Sequence, residues 1–162
     1  MDQLWLSFIQ LIIAVVLGAI AAYLALFLFQ WFTRGVDEWQ LLRDGNAAVG
    51  IVLGAMLVAV AIILRPALVV DRSVWDVGGS AFGQVLLTEA LQLLIGLVLA
   101  VVTLEIALFL FGALTRGIDE VAELKKGNLA IAGLLAGVLI GMGLMISPAV
   151  SEIMRLVASL LF

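Results

Sequence analysis

One acidic residue, Glu105, lies deep inside a long apolar stretch of the sequence. Thr115, ten residues later, marks the polar end of that stretch. A helical rise of about 1.5 Å per residue therefore places Glu105 roughly 15 Å deep, near the middle of a bilayer. A carboxylate there costs at least ~2.5 kcal/mol, so the group must be protonated, paired or facing water. Glu105 is a candidate proton or cation site; alternatively it is a neutral carboxyl bonded to a helix carbonyl or to another Glu105 across an oligomer seam.

A second group of candidates comes from a polar loop motif, T-R-G-x-D-E, which occurs twice. Two acidic loops could hold a divalent cation or dock a partner protein, although adjacent acids without further ligands are a weak metal signal. The same residues could instead build a short loop helix, with Asp as its N-cap and Arg and Glu as i,i+4 neighbours. These candidate residues are Arg34, Asp37, Glu38, Arg116, Asp119 and Glu120.

Composition excludes several classes of function. The chain has no His and no Cys, so it lacks the usual zinc ligands, the thiol nucleophile and the commonest general base. We therefore expect no enzyme, no metal and no cofactor. The 8 Lys and Arg are scattered in a chain of net charge −4, which leaves no basic surface for nucleic acid.

The elements that must position these residues are apolar. Of 162 residues, 65% are hydrophobic and 12% are charged, a composition that makes lipid the solvent for most of the chain. Four apolar runs, 4–32, 47–64, 85–114 and 129–146, are each long enough to cross a bilayer. The sequence predicts an all-α integral membrane protein with four transmembrane helices.

The four helices form two copies of one unit. A shift of 82 positions brings Gln10 onto Gln92 and keeps the copies in register to Ala67 and Ala149, with the polar loop in the same order. Glu105 falls on Tyr23. We expect a first repeat at 1–68, a linker at 69–84, a second repeat at 85–150 and an interfacial helix at 151–162. Because each unit crosses twice, the repeats should be parallel, with both loops on one membrane face.

Glycine and asparagine have predicted structural roles. Gly45-Asn46 and Gly127-Asn128 precede the second and fourth runs; glycine can end the loop helix and asparagine can cap the next one, or line a polar vestibule. Glycines four residues apart would let helices pack closely, or line a narrow path. We expect Ile to destabilise the bundle more at Gly137 than at Ala132. The glycines assigned to packing are Gly50, Gly54, Gly133, Gly137 and Gly141.

The duplicated loop motif, a Gly-Asn pair opening a helix and a Pro closing it resemble the YjfL-like bacterial inner-membrane family, a duplicated two-helix domain of unknown function. The resemblance covers almost the whole chain. It implies a bacterial cytoplasmic-membrane protein of four helices linked to envelope maintenance, and it supplies no catalytic residue.

Two functions are compatible with the sequence. The first is a non-enzymatic membrane subunit that organises other envelope proteins, docking them through the paired acidic loops. The second is an oligomeric ion channel, or a proton- or cation-coupled transporter, with Glu105 as its intramembrane site. Since four helices packed through glycines enclose little space, a path would need a homo-oligomer. The expected partners are membrane lipid, further copies of the chain and other envelope proteins.

Overall fold

The computed structural model describes residues 37–68, 82–115 and 117–161, together with 8, 11–12, 15–16, 18–24 and 26–27. All regular structure in these ranges is helical. The elements are α1 (Glu38–Arg43), α2 (Ala47–Leu64), a 3-10 turn (Arg65–Leu68), α3 (Phe82–Leu114), α4 (Glu120–Lys125) and α5 (Leu129–Leu161). The residues described between 8 and 27 are also helical.

Three helices are long and apolar enough to span a membrane: Ala47–Ala67 with 21 residues, Ala90–Ala113 with 24 and Leu129–Val157 with 29. α2 begins and ends with the second predicted run. The first predicted span, 4–32, and most of the predicted linker lie outside the continuously described ranges. The described chain thus confirms an all-helical architecture with membrane-spanning helices.

α2 lies at the centre of the bundle, packed against both α3 and α5. Its side chains Met56 and Ile63 are fully buried, and they belong to one apolar cluster with Leu97 of α3 and Leu139 of α5. Ala21, from the first segment, is buried in the same cluster. All four helical segments therefore share one core, while their outer surfaces carry exposed Leu, Val, Ile and Phe suited to lipid.

The closest helix approaches involve two glycines that the sequence did not single out. A Cβ on Gly143 would lie 3.2 Å from both the Cα and the carbonyl oxygen of Ala59, so α2 and α5 meet there almost backbone to backbone. A Cβ on Gly96 would lie 2.9 Å from Cδ2 of Leu64. Further along, Ser147 Oγ donates a hydrogen bond to the carbonyl oxygen of Ile62 at 3.1 Å.

The predicted glycine row is not a packing surface among the described residues. A Cβ at any of Gly54, Gly133, Gly137 or Gly141 would meet nothing within 4 Å, and Gly50 approaches only the Leu42 side chain, at 3.5 Å. In contrast, Ala132 is completely buried. The rotation of α5 about its own axis explains this difference. Residues 132, 135 and 139 face α2 and α3, and the glycines lie on the outer side of the helix.

The two repeats end their second helix differently. α2 stops at Leu64 and passes into the 3-10 turn that contains Pro66. α5 continues through the equivalent Pro148 to Leu161, so residues 151–161 belong to the same helix, whose candidate span ends at Val157. Pro148 has no N–H to bond to the Leu144 carbonyl, but proline is tolerated inside membrane helices.

Candidate functional site

Both acidic loops use their aspartate to start a helix. Asp37 accepts a hydrogen bond from the Gln40 N–H at 2.9 Å and is the N-cap of α1. Asp119 accepts from the Ala122 N–H at 2.9 Å and is the N-cap of α4. An N-cap oxygen satisfies a backbone donor that the first helical turn leaves without a partner. These two carboxylates are therefore engaged within their own loops, although both remain exposed to solvent.

The loop helices end, and the long helices begin, at the two Gly-Asn pairs. Gly45 and Gly127 have φ angles of 78° and 82°, in the left-handed region that favours glycine. Asn46 accepts from the Val49 N–H at 3.2 Å as the N-cap of α2. Asn128 accepts from the Ala130 N–H at 3.1 Å at the start of α5. The four residues act as helix caps.

The amide group of Asn46 connects the two loops. Its Nδ2 donates to the carbonyl oxygens of Leu124 at 2.8 Å and Lys125 at 3.2 Å, at the end of α4. Backbone carbonyls at a helix C-terminus have no partner within the helix. The Leu124 carbonyl also accepts from the Gly127 N–H, so Asn46 adds a second bond there and a bond to Lys125. A side chain from the first repeat thus bonds to the end of α4 in the second, and the two loops lie side by side.

Asn128 uses its amide within its own repeat. Its Nδ2 donates to the Glu123 carboxylate at 2.8 Å, and Lys126 Nζ lies 2.7 Å from the other oxygen of that carboxylate. The hydrogen bond from Asn128, followed by the bond and charge of Lys126, lowers the pKa of Glu123. Position 41, which is equivalent to 123, holds Leu. The first loop therefore has no carboxylate equivalent to that of Glu123, which accepts the Asn128 hydrogen bond within one repeat.

The glutamates of the two loop motifs are bonded or buried. Thr115 Oγ1 donates to the Glu120 carboxylate. Glu38 is buried, with 7% of its surface exposed. Arg34 and Arg116 lie outside the described residues. Among those described, no group of three or more His, Cys, Asp or Glu could hold a metal ion. The two loops form separate helix starts and do not form one acidic cluster.

Apolar side chains are exposed beside these caps. Trp39 of α1 is 49% exposed and Val121 of α4 is 48% exposed, and the two positions are equivalent in the repeats. Ile118, just before the Asp119 cap, is exposed as well. We call Trp39, Ile118 and Val121 the loop patch. Such side chains fit either a protein partner or the headgroup layer, where Trp is enriched.

Glu105 lies inside the α3 span, about two turns before its end at Ala113, and is half-buried at the edge of its outer surface. Its neighbours Val102, Ile106 and Phe109 are exposed, whereas Thr103 and Leu104 are buried in the bundle. Within the part of the chain that the structure describes, the Glu105 carboxyl has neither a hydrogen bond nor an ion pair. A carboxyl inside a candidate span thus has no partner among the described residues.

Sequence reasoning missed the inter-repeat bond of Asn46, the Glu123 acceptor and the tight contacts of Gly96 and Gly143. The Leu41 and Glu123 difference between the repeats was a readable signal for the first two. No comparable signal distinguishes Gly143 from the other glycines of α5, because its contact depends on how the helices are rotated.

Three long apolar helices indicate a helical membrane protein. The chain belongs to the family described as Domain of Unknown Function (DUF350), whose family model matches it twice, at residues 3–88 and 84–162. The prediction of a duplicated domain of unknown function is thereby confirmed. Neither the curated proteins nor the solved structures include a significant match to the chain.

Proposed function

We propose that the chain crosses a bacterial cytoplasmic membrane four times as two parallel repeats, with both loops on the cytoplasmic face. Two contacts support the arrangement. Asn46 bonds to Leu124, so the loops meet at one end of the bundle. From there, the contacts of α2 with α5 advance in the same direction along both helices, from Ala59 and Gly143 to Ile62 and Ser147. The orientation follows the excess of Lys and Arg near the loops.

Cysteine accessibility tests this topology, because the natural chain has no cysteine. Single cysteines at Gln40 and Ala122 are labelled with an impermeant thiol reagent in intact cells and in inverted vesicles. Both should react only in the inverted vesicles. Labelling of the two positions from opposite sides would contradict the parallel repeats, and labelling of both in intact cells would reverse the orientation.

We further propose that the protein is a non-enzymatic membrane subunit that organises envelope proteins through its loop face. The observation that carries this proposal is the loop patch: equivalent positions of the two repeats expose apolar side chains, Trp39 and Val121, beside the capping aspartates. The acids alone are weaker candidates, since most of them bind within their own loops. A partner would combine apolar contacts to the patch with cationic groups near Asp37 and Asp119.

A photo-crosslinking amino acid at Val121 tests the docking role in intact cells. Adducts with another membrane protein should form at Val121 and decrease when Trp39 is changed to Ser. The matched control places the same crosslinker at Met145, an exposed apolar residue of α5 that lies far from the loops. Adducts with lipid alone at Val121 would assign the patch to the headgroup layer and contradict docking.

An ion-conducting or proton-coupled role is the second candidate, and Glu105 is the observation that favours it. An ionisable residue inside a span is by default a functional candidate, because its cost of at least ~2.5 kcal/mol must be offset by something. Purified protein in sealed liposomes is exposed to a proton gradient or a voltage. Flux that Glu105→Gln abolishes would support conduction, whereas no flux in the natural protein would favour the organising role.

A further inference from the structure

Two polar side chains stand on the outer surface of the bundle at equivalent positions of the repeats. Tyr23 is 70% exposed on the first segment, and Glu105 is half-buried on α3. Each precedes the Thr of its loop motif by ten residues. Given the parallel repeats proposed above, on which this inference rests, both groups lie at the same depth of the membrane.

Neither group has a hydrogen-bond partner in the part of the chain that the structure describes. Among the described residues, no hydrogen bond or ion pair involves the Tyr23 hydroxyl or the Glu105 carboxyl. Hydrocarbon supplies no donor or acceptor, so a polar group exposed to lipid tails remains unsatisfied. A tyrosine hydroxyl that is removed from water normally finds a hydrogen-bond partner. The need for a hydrogen-bond partner therefore arises on two helices at the same depth.

We propose that this need is met by a second copy of the chain, with the Glu105 carboxyl of one copy bonded to the Tyr23 hydroxyl of the next. A carboxyl and a phenol are complementary, because each can donate and accept a hydrogen bond. A second copy in the same membrane presents the partner group at the matching depth without any further adjustment. No other protein is guaranteed to do so.

The surroundings of the two residues suit a helix contact in lipid. Val102, Ile106 and Phe109 flank Glu105, and Ile20 and Phe27 flank Tyr23; all five are exposed apolar side chains. One copy thus offers an apolar strip with a carboxyl, and its neighbour an apolar strip with a hydroxyl. Because the two strips are different surfaces, the contact is heterologous, and repetition of it closes a ring or extends a row.

Association is measured by energy transfer between donor- and acceptor-labelled copies in vesicles of phosphatidylethanolamine and phosphatidylglycerol, diluted stepwise with lipid. Tyr23→Phe, which removes one hydroxyl, and Glu105→Leu, which removes the carboxyl, should each lower the association constant about tenfold. The double variant should associate no more weakly than either single variant, because both remove the same bond. Glu105→Gln should retain most of the association. The control Met145→Leu, at a residue of α5 that is 77% exposed, should leave it unchanged.

Three results would overturn the proposal. If Tyr23→Phe has no effect while Glu105→Leu weakens association, the carboxyl has another partner, such as Glu105 of the second copy. If the two effects add, the groups act separately. If neither variant changes association, this surface is not a contact between copies. Tyr23→Phe preserves the ring and its packing, so a loss of association cannot be attributed to misfolding. The labelling of Gln40 and Ala122 tests the underlying topology independently.

Discussion

The two loops of this protein have nearly the same sequence and the same caps, yet their asparagines bind different partners. Asn46 donates to backbone carbonyls of the other repeat, whereas Asn128 donates to Glu123 of its own. The loops differ at the position of this acceptor, which is Leu41 in the first loop and Glu123 in the second. The local cap is thus the same in both loops, whereas only the second loop offers its asparagine amide a carboxylate.

The repeats also differ where their second helices cross. Exact twofold symmetry would pair Ala59 with Gly143 and, equivalently, Gly141 with Ala61. Only the first contact is close, because a Cβ on Gly141 would meet nothing within 4 Å. The long helices thus pack asymmetrically although their sequences are related.

The largest expected effect tests that asymmetry. Gly143→Val should destabilise the bundle by roughly 1–3 kcal/mol, because its side chain would overlap the Ala59 backbone, which cannot move aside as a side chain could. Gly141→Val, the matched control two residues away, should change stability far less. Thermal unfolding in detergent measures both variants. Similar destabilisation by the two would mean that α2 and α5 cross symmetrically.

The next effect concerns the bond between the loops. Serine is a good N-cap but cannot reproduce the amide donor. Asn46→Ser should therefore cost about 1 kcal/mol, since the Lys125 carbonyl loses the amide bond and the Leu124 carbonyl keeps only the Gly127 N–H. Asn128→Ser should cost less, because Glu123 keeps Lys126. Unfolding midpoints in detergent provide the comparison, and an equal or larger loss for Asn128→Ser would contradict the linking role of Asn46.

The smallest effect is a difference in acid sensitivity. The pKa of Glu123 is lowered in the folded protein. The contribution of its carboxylate to folding stability is therefore complete above the pKa of a free Glu, and it is lost as the pH falls through the lowered pKa of the folded state. Below about pH 4, the side-chain amide resonances of Asn128 in micelles should therefore shift. The side-chain amide of Asn46 donates only to backbone carbonyls, so its resonances should stay constant. Equal shifts of the Asn46 and Asn128 resonances would show that protonation of Glu123 does not cause them.

Sequence reasoning succeeded where structure depends on neighbouring residues. The Gly-Asn pairs set the loop ends because a left-handed glycine and a capping amide are local requirements, and the bounds of α2 follow the apolar run. Helical rise is likewise a local property, so counting residues back from Thr115 placed Glu105 within a span. Pro148 failed as a helix end because membrane helices tolerate proline, and α5 continues past it to Leu161.

The choice of packing glycine could not be predicted, because it depends on the rotation of each helix about its axis. All the glycines of α5 look alike in sequence, and only contact with α2 and α3 selects Gly143. The structure consequently reverses one expectation. Isoleucine at the buried Ala132 should now destabilise the bundle more than isoleucine at the exposed Gly137, and unfolding of the two variants in detergent measures the difference.

The unequal lengths of the spans have a consequence for the depth of the bundle in the membrane. The 21 residues of the α2 span measure about 32 Å along the helix, and the 29 residues of the α5 span about 44 Å. The last turns of α5 carry the exposed ion pair of Glu152 with Arg155, and such charges are costly inside hydrocarbon. The α2 span therefore matches a hydrocarbon core of about 30 Å, whereas the end of α5 should project beyond it. The charged turns of α5 would hold that end at the membrane surface and limit how far the bundle can move along the membrane normal.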